Sequence, residues 1–154
     1  TLAFSVGELL ASKGITVVYG GGNIGLMGQV ANGALSKGGT VLGVIPHHLQ
    51  KLELAHEGLS KLYITQSMHE RKALMAALSD AFIALPGGYG TLEELSEVTT
   101  WSQLNYHHKA VGLLNAFGFY EHLIQWIDHA CNEQFIRAPH RGFRVLVLQM
   151  VLPQ

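Results

Sequence analysis

The sequence predicts an α/β fold built on a parallel sheet with helices on both faces. Short apolar runs of strand length alternate with amphipathic segments of helix length, the pattern of parallel strands joined by crossover helices. Two glycine-rich segments, 20–28 and 86–94, each fall where a strand would pass into a helix, at the end of the sheet where open α/β folds bind ligands. No repeat, low-complexity tract or linker composition divides the chain. Residues 1–154 therefore read as a single Rossmann-like, doubly wound domain.

The elements follow in order. Residues 2–10 read as the body of a helix and 16–19 as the first strand. A helix over 26–36 and a strand over 40–45 come next, with Pro46 ending the strand and a less regular stretch running through Gly58. A short strand is expected over 62–65, a helix over 69–78, a buried strand over 81–85, a helix over 92–104 and a strand over 110–114. In the helix predicted over 120–132, Leu123, Ile124, Ile127 and Cys131 recur at three- and four-residue spacing and make one apolar face. A final strand is expected over 144–148.

Composition narrows the function. A chain of 154 residues, 48% hydrophobic and 14% charged, can bury a sizeable core. Ten lysines and arginines nearly balance eleven aspartates and glutamates, for a net charge of -1, which marks neither a nucleic-acid surface nor a polybasic membrane patch. The expected partner is a small molecule. No run approaches the roughly 20 apolar residues of a bilayer span, and no basic-then-apolar leader opens the sequence. The lone thiol, Cys131, cannot make an internal disulfide, so a reducing cytoplasm is the expected location. The sequence opens on Thr1 rather than methionine, within what already reads as helix, so further residues are expected upstream.

The first glycine segment, Gly20-Gly21-Gly22-Asn23-Ile24-Gly25, has two readings. Without side chains it lets a phosphate or ribose approach the backbone at a helix N-terminus; alternatively its glycines serve a tight turn and close helix packing. Gly20, Gly22 and Gly25 match the GxGxxG spacing of dinucleotide folds. That fingerprint also wants an acidic residue closing the next strand, where this chain has Pro46-His47.

The second segment is the more informative. Exposed amides from Gly88 to Thr91, the positive end of the helix and the Thr91 hydroxyl could hold a phosphate without a metal. Glu94 can be read as a functional carboxylate or as part of a Thr91–Glu94 capping box. Met68-His69-Glu70-Arg71-Lys72 opens the preceding helix and adds cations; taken alone, Arg71 and Lys72 would be a solvated helix face. None of the nine histidines shows HExxH spacing, since Arg71-Lys72-Ala73 follows His69-Glu70, and there is no cysteine pair, so no metal site is expected.

Three blocks in this order, VYGGGNIGLMG at 18–28, MHERK at 68–72 and PGGYGTLEE at 86–94, resemble the LONELY GUY family of cytokinin riboside 5'-monophosphate phosphoribohydrolases. GVIP at 43–46, HEGL at 56–59 and TWSQL at 100–104 extend the likeness over nearly the whole chain. The family usually begins with a strand ending in a glycine- and serine-rich loop beside the nucleotide pocket, and ends with a further helix; neither is in this sequence. Relatives often carry a lysine-decarboxylase label, but that chemistry needs a cofactor-bound lysine and a pyridoxal phosphate site, and the sequence has a signature for neither.

The resemblance implies hydrolysis of the bond between base and ribose C1' in adenosine 5'-monophosphates, N6-modified or plain, with no cofactor. Glu94 would be the carboxylate beside the sugar, and Arg71, aided by Lys72, would bind the nucleotide or help the base leave. Gly88, Gly90 and Thr91 would hold the 5'-phosphate, with Tyr89, Gly21 and Gly22 among the substrate contacts. The resemblance also carries substrate contacts onto Glu53 and Thr100. Thr100 lies six residues past Glu94, about 240° further round an ideal helix, so it is expected to serve a partner's site in a homodimer or larger homo-oligomer. The rival expectation is a nucleotide-binding or sensing module that does not cleave its ligand.

Overall fold

The structure, a computed structural model, describes residues 1–141 and the backbone of 143–146. Two compact units, Thr1–Ser79 and Asp80–Gln154, are described in turn.

The first unit holds α1 (Leu2–Ser12), β1 (Val17–Tyr19), α2 (Gly25–Ser36), β2 (Val41–Pro46), β3 (Lys61–Thr65) and α3 (Met68–Leu78). Thr1 caps α1, its hydroxyl accepting from the Phe4 amide at 3.3 Å. The strands pair in the order β1-β2-β3, all parallel, with Val17 opposite Val41 and Leu42 opposite Lys61. The central strand β2 is the most apolar, and Val41, Val44 and Ile45 are wholly buried, as a strand covered on both faces requires. Helices α1 and α2 cross at two glycines. A Cβ on Gly33 would lie 2.0 Å from the Phe4 carbonyl oxygen, and one on Gly7 would lie 2.1 Å from that of Val30.

The second unit holds β4 (Ala81–Ala84), α4 (Tyr89–Gln103), β5 (Ala110–Leu114), α5 (Glu121–Asn132) and β6 (Phe143–Leu146). Its strands are parallel in the order β4-β5-β6, with Ala81 opposite Ala110 and Val111 opposite Phe143. Leu95, Val111, Leu113 and Tyr120 form the core, and Leu123 and Ile124 pack on it from the α5 face that the apolar spacing marked. Of the strand expected over 144–148, residues 147–148 lie outside the described residues. Among the described residues no helix is long and apolar enough to cross a membrane.

Two expectations change. The strand over 81–85 was expected to be buried, yet Ile83 is 42% exposed; among the described residues of its unit β4 pairs with β5. The helix expected from 92 begins at Tyr89, since Gly88 supplies the cap and draws Gly90 into the first turn.

The α1–α2 crossing gives a direct test. Gly33→Ala must push the two backbones apart and should lower stability in urea denaturation by about 1–3 kcal/mol. An unchanged midpoint would mean that the helices do not meet there.

Candidate functional site

The first unit gathers its polar groups around Arg71. Helix α3 opens on a Ser67 cap: Ser67 Oγ accepts from the Glu70 amide at 3.1 Å, and Glu70 Oε2 accepts from the amide of Gln66, just before the cap, at 2.7 Å. With Glu70 so engaged at the helix end, the next residue turns inward. Among the described residues of α3, Arg71 alone is buried, at 4% exposure. Its Nε–H donates to the Val44 carbonyl of β2 at 3.0 Å, and Nη2 donates to the Gly20 carbonyl at 2.6 Å and to Glu53 Oε2 at 2.9 Å. Nη1 reaches Glu53 Oε1 at 3.4 Å and Met68 Sδ at 3.8 Å. A guanidinium has five N–H donors, so each of them faces a protein acceptor. The alternative of a solvated helix face is thus overturned for Arg71, because a carboxylate and two carbonyls replace the water that its charge would otherwise need. Lys72 is half-buried.

The first glycine segment is closed by protein. Gly20, Gly21 and Gly22 are buried, and Gly21 has φ +77, a conformation that glycine adopts without strain. The stretch 53–56 lies along the turn. The Asn23 amide donates to the carbonyls of Glu53 at 3.3 Å and Leu54 at 2.9 Å, and the His56 amide donates to Gly21 at 2.9 Å. Tyr19 OH donates to the Gly22 carbonyl at 2.9 Å, and burial pushes this phenol well above its ordinary pKa, so it remains a donor. Buried His56 accepts from the Gly58 amide on Nδ1 at 3.0 Å, which leaves the proton on Nε2, 3.0 Å from Asn32 Oδ1. A cavity of about 680 Å³ opens beside this stretch, lined by residues including Asn23, Asn32, Lys51 and His56.

In the second unit the corresponding turn is open. Gly88 caps α4 without a side-chain hydrogen bond, and the Leu92 amide makes a bond to the Gly88 carbonyl at 3.1 Å. The amides of Tyr89, Gly90 and Thr91 therefore precede that bond and have no acceptor within the helix. A Cβ on Gly88 or Gly90 would meet nothing within 4 Å, and Tyr89 is 93% exposed. Such an end favours an anion. Thr91 packs back on Gly87, its Oγ1 2.2 Å from where a Cβ there would sit. Because Thr91 lies inside the helix, the Thr91–Glu94 capping box does not form. Glu94 is half-buried in the second turn, and Thr100 is exposed further along the same helix.

Residues 27–151 match the family described as "Possible lysine decarboxylase". A cytokinin riboside 5'-monophosphate phosphoribohydrolase of Rhodococcoides fascians is 51% identical over 95% of this chain and 74% of its own length. The chain belongs to the LONELY GUY family. A probable phosphoribohydrolase of the same description from Oryza sativa subsp. japonica is 52% identical over 94% of the chain, and the chain spans 58% of that relative's length. In solved structures, the molybdenum cofactor carrier protein of Chlamydomonas reinhardtii matches with a TM-score of 0.68 at 21% identity, over 94% of this chain and 77% of that one. The molybdenum cofactor binding protein of Rippkaea orientalis matches at 0.67 and 23%, with the same coverage. These two likenesses carry the Rossmann-like fold alone.

For this LONELY GUY member the sequence reading missed four supporting residues. Ser67 and Glu70 had a legible signal, S-x-x-E ahead of a helix. The Val44 carbonyl, as a backbone atom, had none. Tyr120, whose OH donates to the Leu85 carbonyl at 2.5 Å just before the second glycine segment, lies too far along the chain for local spacing to reveal. Burial raises the Tyr120 pKa, which keeps that donor protonated.

Arg71→Met should cost about 3–5 kcal/mol in urea denaturation, because it strands Glu53 and two buried carbonyls. Tyr120→Phe removes one hydrogen bond from an otherwise intact core, for an expected loss of about 1 kcal/mol by the same measurement. A reversed order would contradict the contacts described.

Proposed function

We propose that this protein hydrolyses the N-glycosidic bond of adenosine 5'-monophosphates, N6-modified ones included, releasing the free base and ribose 5-phosphate, with residues 1–154 working as one domain. The observation that supports this reading most is the open N-terminus of α4 with Glu94 in the following turn. Three amides without helical acceptors and the positive end of the helix suit a phosphate. A carboxylate on the same helix suits the positive charge that develops on the sugar as the C1'–N9 bond breaks. Family membership supports the same chemistry, since the Rhodococcoides fascians relative is named for it.

In this reading Gly88, Tyr89, Gly90 and Thr91 hold the 5'-phosphate. Glu94 stabilises the sugar cation and takes a proton from the water that attacks C1'; as the C1'–N9 bond breaks its electron pair goes to the base, and that proton ends on the ring nitrogen of the released base, which regenerates the carboxylate. Arg71, Glu53, Lys72, Gly21 and Gly22 are the further substrate contacts that the family resemblance implies. Thr100, exposed on α4, serves the site of a second copy in a homodimer. The substrate is a small soluble nucleotide, and the location is cytoplasmic.

Incubation with AMP, N6-isopentenyladenosine monophosphate and the two unphosphorylated nucleosides, with free bases resolved by chromatography, should show release from the monophosphates. Binding without release from either would favour a sensor, and equal cleavage of the nucleosides would remove the role of the phosphate. Glu94→Gln should lower kcat by about 10²–10⁴-fold while leaving AMP affinity within a few fold. In sedimentation the active species should be a dimer; full activity in a strictly monomeric protein would refute the role given to Thr100.

A further inference from the structure

We propose that Tyr120 is a positioning residue for the phosphate cradle: its hydroxyl holds the Leu85 carbonyl and so sets the direction in which segment 86–88 enters α4. The consequence for substrate binding rests on the reading above, whereas the structural claim stands apart from it.

The first support is where the hydrogen bond falls. The β4–β5 ladder ends with Ala84 opposite Leu113, so Leu85 lies one residue past it. Pro86 follows, with no N–H and a nearly fixed φ. A half-buried carbonyl beyond the ladder takes its donor from elsewhere. Tyr120 OH supplies it at 2.5 Å, and burial raises the Tyr120 pKa, so the hydroxyl stays a donor.

The second support is how firmly Tyr120 itself is held. It is 6% exposed, in the core with Leu95, Val111 and Leu113. Its amide donates to Asn115 Oδ1 at 2.8 Å, and its carbonyl accepts from the Ile124 amide at 2.9 Å where α5 begins. The Phe119 ring meets its own edge-on, with centroids 5.0 Å apart. Between Asn115 and Tyr120 the chain turns through Phe117, φ 54, and Gly118, φ 72. Left-handed backbone at a phenylalanine persists only where its surroundings enforce it. A phenol so fixed is a rigid reference for whatever its hydroxyl binds.

The third support is the far end of the tether. Gly87 packs on Thr91, since a Cβ there would sit 2.2 Å from Thr91 Oγ1. Segment 85–87 is thus held at Leu85 by Tyr120 and at Gly87 by the first turn of α4, and the cap, Gly88, follows directly. The amides of Tyr89, Gly90 and Thr91 lie where that cap starts the helix. A Leu85 carbonyl released from Tyr120 would turn toward water and carry the 85–86 peptide with it, because a peptide unit moves as a plane.

Measurements on the full chain test this. Tyr120→Phe should weaken ribose 5-phosphate binding, read by titration calorimetry, by about fivefold or more, while adenosine affinity stays within about twofold. Asn115→Ala should act alike, and the double variant should bind within about twofold of the weaker single, because Asn115 works through Tyr120. Leu123→Ala removes a core side chain of the same unit and should leave ribose 5-phosphate affinity within about twofold despite a stability loss at least as large. In ¹⁵N spectra of ligand-free protein, Tyr120→Phe should shift the amide signals of Gly87, Gly88 and Gly90, and Leu123→Ala should not. Where turnover is present, Tyr120→Phe should raise KM for AMP by about fivefold with kcat within about twofold. Equal weakening by Leu123→Ala, undiminished ribose 5-phosphate binding in Tyr120→Phe, or unshifted glycine signals would overturn the proposal. Should wild type bind no ribose 5-phosphate, the phosphate reading fails, and the glycine signals still decide whether Tyr120 positions the segment.

Discussion

A guanidinium that is 4% exposed has lost nearly all its water, and an ionised group in that position is tolerated only if protein atoms replace the lost hydration. In the first unit this one requirement sets the positions of several segments. Glu53 neutralises the charge, while the Gly20 and Val44 carbonyls take donors that the carboxylate cannot reach. No acceptor can be withdrawn without stranding a donor on Arg71. The end of β1, the middle of β2 and stretch 53–56 are therefore fixed relative to α3 by mutual need. Buried polar networks of this kind behave as units rather than as sums of pairs.

The alternation of strands and helices was legible because it depends on local periodicity. β2 and the apolar face of α5 fall where residue pattern alone put them. What was not legible depends on neighbours distant in sequence. The exposure of Ile83 on β4 depends on what packs around it, and strand order is not written in any single strand. Arg71 reads as surface because charged residues usually are surface; its burial depends on a glutamate 18 positions earlier and on two carbonyls.

Capping shows the limit more sharply. Ser67–Glu70 and Thr91–Glu94 share one pattern, a hydroxyl followed three residues later by a glutamate, yet Ser67 caps its helix and Thr91 lies inside its own. The difference lies upstream. Ser67 has extended backbone at the helix boundary, whereas before Thr91 the flexible Gly88 can begin the helix three residues sooner. That earlier start moves Glu94 from a cap position into the second turn of the helix.

The two glycine segments look alike in sequence and are built to opposite ends. In the first, the backbone groups of Gly21, Gly22 and Asn23 are taken up by stretch 53–56 and by Tyr19, so its glycines allow protein backbone to approach protein backbone. In the second, nothing stands within 4 Å of a Cβ on Gly88 or Gly90, and its glycines leave a helix end bare. Glycine content alone cannot separate a closed turn from an anion cradle. What separates them is whether the following chain returns: residues 47–58 double back over the first turn, whereas after the second the chain continues into fifteen residues of helix. A phosphate needs the second arrangement, and a buried arginine that must hold its partners still needs the first.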